Sequence, residues 1–158
     1  MYLKEFEIRW NDLDANRHLA NTAYFNLMNQ TRMSYMEESG FGHHKMVLYG
    51  IGPIVFYEHI HYFREVLPGK PLRVSLELKG LSKEGMYFSF VHNFYDDSGN
   101  NMTKCEMMGA WMNLKTRKLI EMPPELFSAI DSVSKTKDFK VLTKEDTRRH
   151  KQYPKPLG

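Results

Sequence analysis

The sequence predicts an α+β domain in which one antiparallel sheet of five strands wraps a single long helix. Three observations carry this. One stretch near the N-terminus repeats apolar side chains at helical spacing, and five others alternate apolar and polar residues with period two. The later strands are joined by loops too short for anything but antiparallel neighbours. A helix with one apolar stripe needs a sheet to lie on.

Tyr2 to Trp10 alternates, with Phe6, Ile8 and Trp10 on one face and Glu5, Glu7 and Arg9 on the other. Asn11 to Arg17 breaks that pattern with Asn and Asp, as turns do. Ala20, Ala23, Tyr24, Leu27, Met28, Thr31 and Tyr35 then fall at i, i+3, i+4 spacing. Asn21 or Thr22 is placed to cap the helix start and Gly40 its end. A helix over 21–38 would be roughly 27 Å long. Ile54 to Arg64 is aromatic and β-branched and ends at the turn Leu67-Pro68-Gly69-Lys70. Leu72, Val74, Leu76 and Leu78 alternate with Arg73, Ser75, Glu77 and Lys79. Met86 to Tyr95 and Met102 to Leu114 are two further strands, separated by the hairpin loop Asp96–Asn100. Pro124 can open a short helix carrying Leu126, Phe127 and Ile130.

With 158 residues the chain is one domain and an appendage. Residues 1–134 hold 14 Lys/Arg against 16 Asp/Glu, a net −2, whereas 135–158 hold 8 against 3, a net +5. The body, 1–134, is expected to fold; the basic tail, 135–158, is expected to be loosely ordered and dispensable, its only apolar cluster being Phe139, Val141 and Leu142. A mildly acidic body disfavours nucleic-acid binding, where the basic face lies on the folded part. The N-terminus has no signal-peptide core, and no apolar run approaches a membrane span, so no membrane partner is expected. A single cysteine, Cys105, excludes an internal disulfide and fits a reducing cytoplasm. A sheet this long with one helix to cover it leaves edges, which predicts a homo-oligomer.

The densest polar stretch, Asn11 to Asn21, lies between a strand and the start of the long helix. A helix N-terminus presents free N–H groups and partial positive charge, which can hold a developing oxyanion. A carboxylate just upstream can activate water or attack directly. The same Asp12, Asp14 and Asn16 also suit a plain turn.

Trp10-Asn11-Asp12-Leu13-Asp14-Ala15-Asn16-Arg17-His18-Leu19-Ala20-Asn21-Thr22-Ala23-Tyr24 resembles the signature of the 4-hydroxybenzoyl-CoA thioesterase-like family of hotdog-fold acyl-CoA thioesterases. That pattern is an aromatic, Asp-x-Asp, a short gap, Gly-His-Val-Asn-Asn and a Tyr within the helix. Arg32 matches a frequent family Arg, and Leu67–Lys70 matches the turn before the next strand. The resemblance spans roughly residues 1–125. It implies a hotdog fold, dimerised through its sheets as a homodimer or homotetramer, that hydrolyses an acyl-CoA or acyl carrier protein thioester without a cofactor. The catalytic carboxylate lands on Asp14, and the oxyanion N–H lands near Asn21 or Thr22. Arg17, His18, Tyr24, His59 and His61 are the candidate substrate-binding residues. Two departures stand out: the family Gly is Arg17, and the first Asn of its pair is Ala20.

His59 and His61, two apart on one strand face, suit a cleft or interface better than a metal site, since no acidic partner sits at ligand spacing. His43 and His44 read as exposed loop residues and Cys105 as a core thiol. The Met and aromatic stripes of the later strands are core residues, some of which can line an acyl pocket. Arg64, Lys79, Lys83, Lys104 and the tail are the candidate CoA phosphate ligands. The competing functional reading is a hotdog protein that binds an acyl ligand without hydrolysing it; an aimed carboxylate at Asp14 separates the two. A dehydratase would need a hydration-site His pattern that the sequence lacks.

Overall fold

A computed structural model describes residues 1–158. The chain runs β1 (Tyr2–Phe6), a 3-10 turn (Trp10–Asp12), α1 (Asn21–Glu38), α2 (His43–Tyr49), β2 (Ile51–Tyr62), β3 (Leu72–Ser82), β4 (Tyr87–Tyr95), β5 (Asn101–Asn113), α3 (Pro124–Asp131), β6 (Lys135–Leu142) and a second 3-10 turn (Lys144–Arg148). Five strands pair antiparallel in the order β1-β3-β4-β5-β2. The predicted sheet is therefore present, with α1 on one face packed against β1 and β3.

The stripe expected on α1 is the buried one: Ala23, Tyr24, Leu27, Met28 and Thr31 face the sheet, joined by Met36. The helix end is as expected. Gly40 takes φ 77°, and the N–H groups of Gly40 and Phe41 bond back to the carbonyls of Glu37 and Met36. That paired closure needs a left-handed residue, which glycine supplies at no steric cost. The helix start differs. Ala20 is the N-cap, with φ −64° and ψ 145°, and no side chain caps the first turn. Asn21 and Thr22 are the first two helical residues instead.

Three local expectations are corrected. β1 ends at Phe6, because Asp12 folds back to accept from the Arg9 N–H (2.9 Å) and from its guanidinium, leaving Trp10 88% exposed. His43 and His44 open a short helix rather than a loop, and the Glu37 carboxylate accepts the His43 N–H at 2.7 Å. The tail is ordered over Lys135–Leu142 as a sixth strand, parallel to β3. β1 pairs with the first half of β3 (Leu72–Leu76), and β6 pairs with the second half (Leu78–Ser82). Backbone pairing along that vacant edge, with Leu142 buried and Phe139 against the core, orders a segment whose composition is too polar to announce it.

Candidate functional site

The loop between β1 and α1 is shaped by its two aspartates in different ways. Asp12 is bound to Arg9, whose guanidinium and N–H hold its carboxyl below the ordinary range. Asp14 turns the chain. Its N–H donates to the His18 carbonyl and its carbonyl accepts from Arg17, each at 3.0 Å. Its carboxylate accepts the Asn16 N–H on Oδ1 at 2.9 Å and lies 3.1 Å from His18 Nδ1 through Oδ2. The tight turn places Arg17 at φ 63°, in the left-handed region. This is the position where the resembled family carries glycine, and the arginine side chain points to solvent.

Asp14 and His18 wall a cleft of about 400 Å³ with Asn21 and Tyr24 of α1 and Tyr62 at the end of β2. Phe63, Arg64 and Glu65, just past β2, complete it. Tyr24 is buried and held edge-on between Tyr62 and Phe94, each ring at 5.1 Å. The N–H groups of Asn21 and Thr22 enter no loop or cap hydrogen bond. The free end of α1 and the Asp14 carboxylate thus share one cleft, a set of free N–H donors beside a carboxylate.

Other expected residues fall elsewhere. Thr22 and Arg17 are exposed and outside the cleft walls. His59 stacks on His150 of the tail at 4.1 Å, in a separate cavity of about 390 Å³, and His61 is exposed. Lys79 is bound to Glu106 at 2.5 Å and Asp138 at 3.3 Å. The sequence reading missed Tyr62, Phe63 and Glu65 as cleft walls, because only the fold brings the end of β2 to the loop. A second cavity, about 310 Å³, lies between α1 and the sheet, with eleven of fourteen lining residues hydrophobic. Phe88, Phe90, Met107 and Trp111 come from the later strands whose Met and aromatic residues were expected to be core or pocket lining, whereas the α1 walls Met33 and Met36 were not foreseen. Among ionisable groups no cluster of three His, Cys, Asp or Glu gathers.

A helix wrapped by an antiparallel sheet, with a carboxylate loop at the helix N-terminus, defines a hotdog domain of thioesterase type. The family model described as the thioesterase-like superfamily matches residues 8–130, and the chain belongs to that superfamily. Among solved structures, a 1,4-dihydroxy-2-naphthoyl-CoA thioesterase from Synechocystis is 14% identical, with a TM-score of 0.74 over 83% of this chain and 96% of that one. A DHNA-CoA thioesterase from Staphylococcus aureus is 17% identical (TM-score 0.74, 82% and 87% covered). A Staphylococcus aureus protein in complex with CoA is 15% identical, with a TM-score of 0.78 over 98% of this chain and 95% of that one. Among curated proteins no sequence matches. No helix is long and apolar enough to cross a membrane.

Proposed function

We propose that this chain is an acyl-CoA thioesterase that splits an acyl thioester into a free acid and a thiol. One observation carries the reading: the Asp14 carboxylate, fixed by Asn16 and His18, faces the same cleft as the uncapped start of α1. The thioester carbonyl sits against the α1 N–H groups, and its oxygen gains negative charge there as the carbon is attacked. Asp14 acts as nucleophile or as general base. As nucleophile it forms an acyl anhydride and expels the thiolate, which takes a proton from solvent; water then adds to the Asp14 carbonyl of the anhydride and releases the acid, which leaves with one of the original Asp14 oxygens. As base it takes a proton from water, whose hydroxide adds to the carbon and expels the thiolate. Both routes consume one water. Turnover in oxygen-labelled water under single-turnover conditions separates them, since attack by Asp14 leaves label in its carboxylate.

Superfamily membership and thioesterases among the structural neighbours support this reading. The CoA bound to one neighbour supports CoA as the thiol carrier. The protein works as a homo-oligomer in the cytoplasm. β2 is an edge strand whose Val55, Phe56 and Tyr62 are 40–49% exposed, which suits pairing with a second copy, and Cys105 is a free buried thiol.

The test is a panel of acyl-CoA and acyl carrier protein thioesters assayed by thiol release. Wild type should turn over at least one CoA thioester, and Asp14→Asn should lower kcat by at least about 100-fold. A wild type inactive on the whole panel overturns the activity, and an active Asp14→Asn overturns the assignment.

A further inference from the structure

The apolar cavity between α1 and the sheet contains one cation, Arg32. Its Nη1 lies 2.9 Å from His92 Nε2, and its Nη2 donates to the Asn29 side chain. His92 is fully buried, with Nδ1 2.7 Å from the Ser75 carbonyl. A guanidinium only donates, so Nε2 must accept, and the His92 proton must sit on Nδ1, directed at Ser75. His92 is therefore a neutral, tautomer-fixed prop. Both side-chain partners of Arg32 are uncharged. None of the molecule's ion pairs includes it, although the Glu58 carboxylate on β2 favours its charge from beyond contact distance.

A partly buried guanidinium beside an apolar cavity costs stability unless something anionic meets it. Neutral props fix its direction without cancelling its charge. No residue lines both the cavity and the Asp14 cleft, but the same two elements contribute to each: Asn21, Tyr24 and Tyr62 at the cleft, and Asn29, Arg32, Pro53 and Val55 at the cavity. Both thus lie where α1 faces β2. Arg32 stands about 16 Å along the helix from Asn21.

We infer that this apolar cavity receives the acyl chain and that Arg32 binds a carboxylate at its far end, so that the preferred substrates are CoA monothioesters of long-chain dicarboxylic acids. This rests on the thioesterase reading for the orientation of the chain, but the anion site itself does not.

The two are separable by experiment. The full chain is titrated calorimetrically with decanoate and with decanamide, which need no turnover. Decanoate should bind at least roughly tenfold more tightly, as a charge-assisted bond to a guanidinium requires. Arg32→Met should abolish that difference, and Arg32→Lys, which keeps the charge, should retain most of it. Met33→Trp, at a wall of the cavity on α1 and away from the β2 edge, should weaken both ligands. In turnover, the ratio of kcat/KM for the monothioester of decanedioic acid to that for decanoyl-CoA should exceed one and fall at least roughly tenfold in Arg32→Met. Equal binding of decanoate and decanamide overturns the inference, as does a preference that survives Arg32→Met or binding indifferent to Met33→Trp. If Arg32→Met instead dissociates an oligomer and ligand binding is absent in wild type, a second copy occupies the site and the inference fails. An inactive protein that still binds decanoate through Arg32 overturns only the thioesterase reading.

Discussion

The Leu142 side chain lies over Gly80 so closely that a Cβ on residue 80 would meet Leu142 Cδ2 at 2.6 Å. The glycine is thus the seat on β3 that lets β6 dock. β6 reaches it by passing residues 136–139 as an unpaired stretch, since Lys135 pairs with Leu78 and Lys140 with Gly80. A segment expected to be dispensable is part of the fold. Leu142→Ala should cost about 2–5 kcal/mol, the range for a buried leucine. A truncation after Ser134 should lose at least as much, seen as a lower urea midpoint. A truncated chain with an unchanged midpoint would return the tail to a dispensable role.

Arg17 occupies a conformation that suits glycine. An L-residue at φ 63° pays roughly 1–2 kcal/mol for its Cβ, partly offset because glycine is freer in the unfolded chain. Arg17→Gly should therefore stabilise the protein by up to about 1 kcal/mol in chemical denaturation. Loss of stability in that variant would mean that the exposed arginine makes a contact worth more than the strain.

The legible parts of this protein were the local ones. The α1 stripe and the Leu72–Leu78 alternation announce their own faces, because helix and strand periods act within a few residues. Asp14 and His18 are four residues apart in one loop, so their meeting needs no tertiary information. The Arg32–His92 contact joins residues 60 apart and depends on how α1 lies across β4. β6 carries few apolar residues and is recruited by the backbone of β3. α2 buries only Met46, too little for a seven-residue periodic signal.

His92 makes stability pH-dependent. Burial first, and then the Arg32 charge, push its pKa down to about 3 from an ordinary 6.5. The folded state keeps it neutral while the unfolded chain takes up a proton as pH falls below 6.5. Its contribution is thus intact above that value and lost progressively toward pH 3, at about 1.4 kcal/mol per pH unit. His92→Gln keeps an acceptor for Arg32 and a donor for Ser75 but cannot titrate. Unfolding free energies between pH 6 and pH 4 should fall less steeply in His92→Gln than in wild type. Parallel slopes would show that His92 protonates freely in the folded protein.

Cys105 should be chemically silent. Burial, with a smaller push from Glu58, raises its thiol to about 12, and the side chain is inaccessible. The thiolate is the reactive form, so native protein at pH 8 should not react with a chromogenic disulfide reagent until it unfolds. Rapid stoichiometric labelling under native conditions would contradict the burial.

The oxyanion donor can be tested through the backbone itself. Asn21 lines the Asp14 cleft and Thr22 does not, so the N–H of Asn21 is the donor to remove. Proline is well tolerated at a first helical position, where the N–H has no helical partner. Proline also demands an extended residue before it, and Ala20 already sits at ψ 145°. Asn21→Pro therefore deletes one N–H and leaves the helix start in place, whereas Asn21→Ala keeps the N–H and deletes only the side chain. The proline variant should lose about 100- to 1,000-fold in kcat, the effect of one preorganised donor. The alanine variant should stay within a few-fold of wild type, and both should melt near the wild-type temperature. Loss of activity in Asn21→Ala equal to that in Asn21→Pro would assign the effect to the amide side chain, and full activity in Asn21→Pro would remove this N–H from the mechanism.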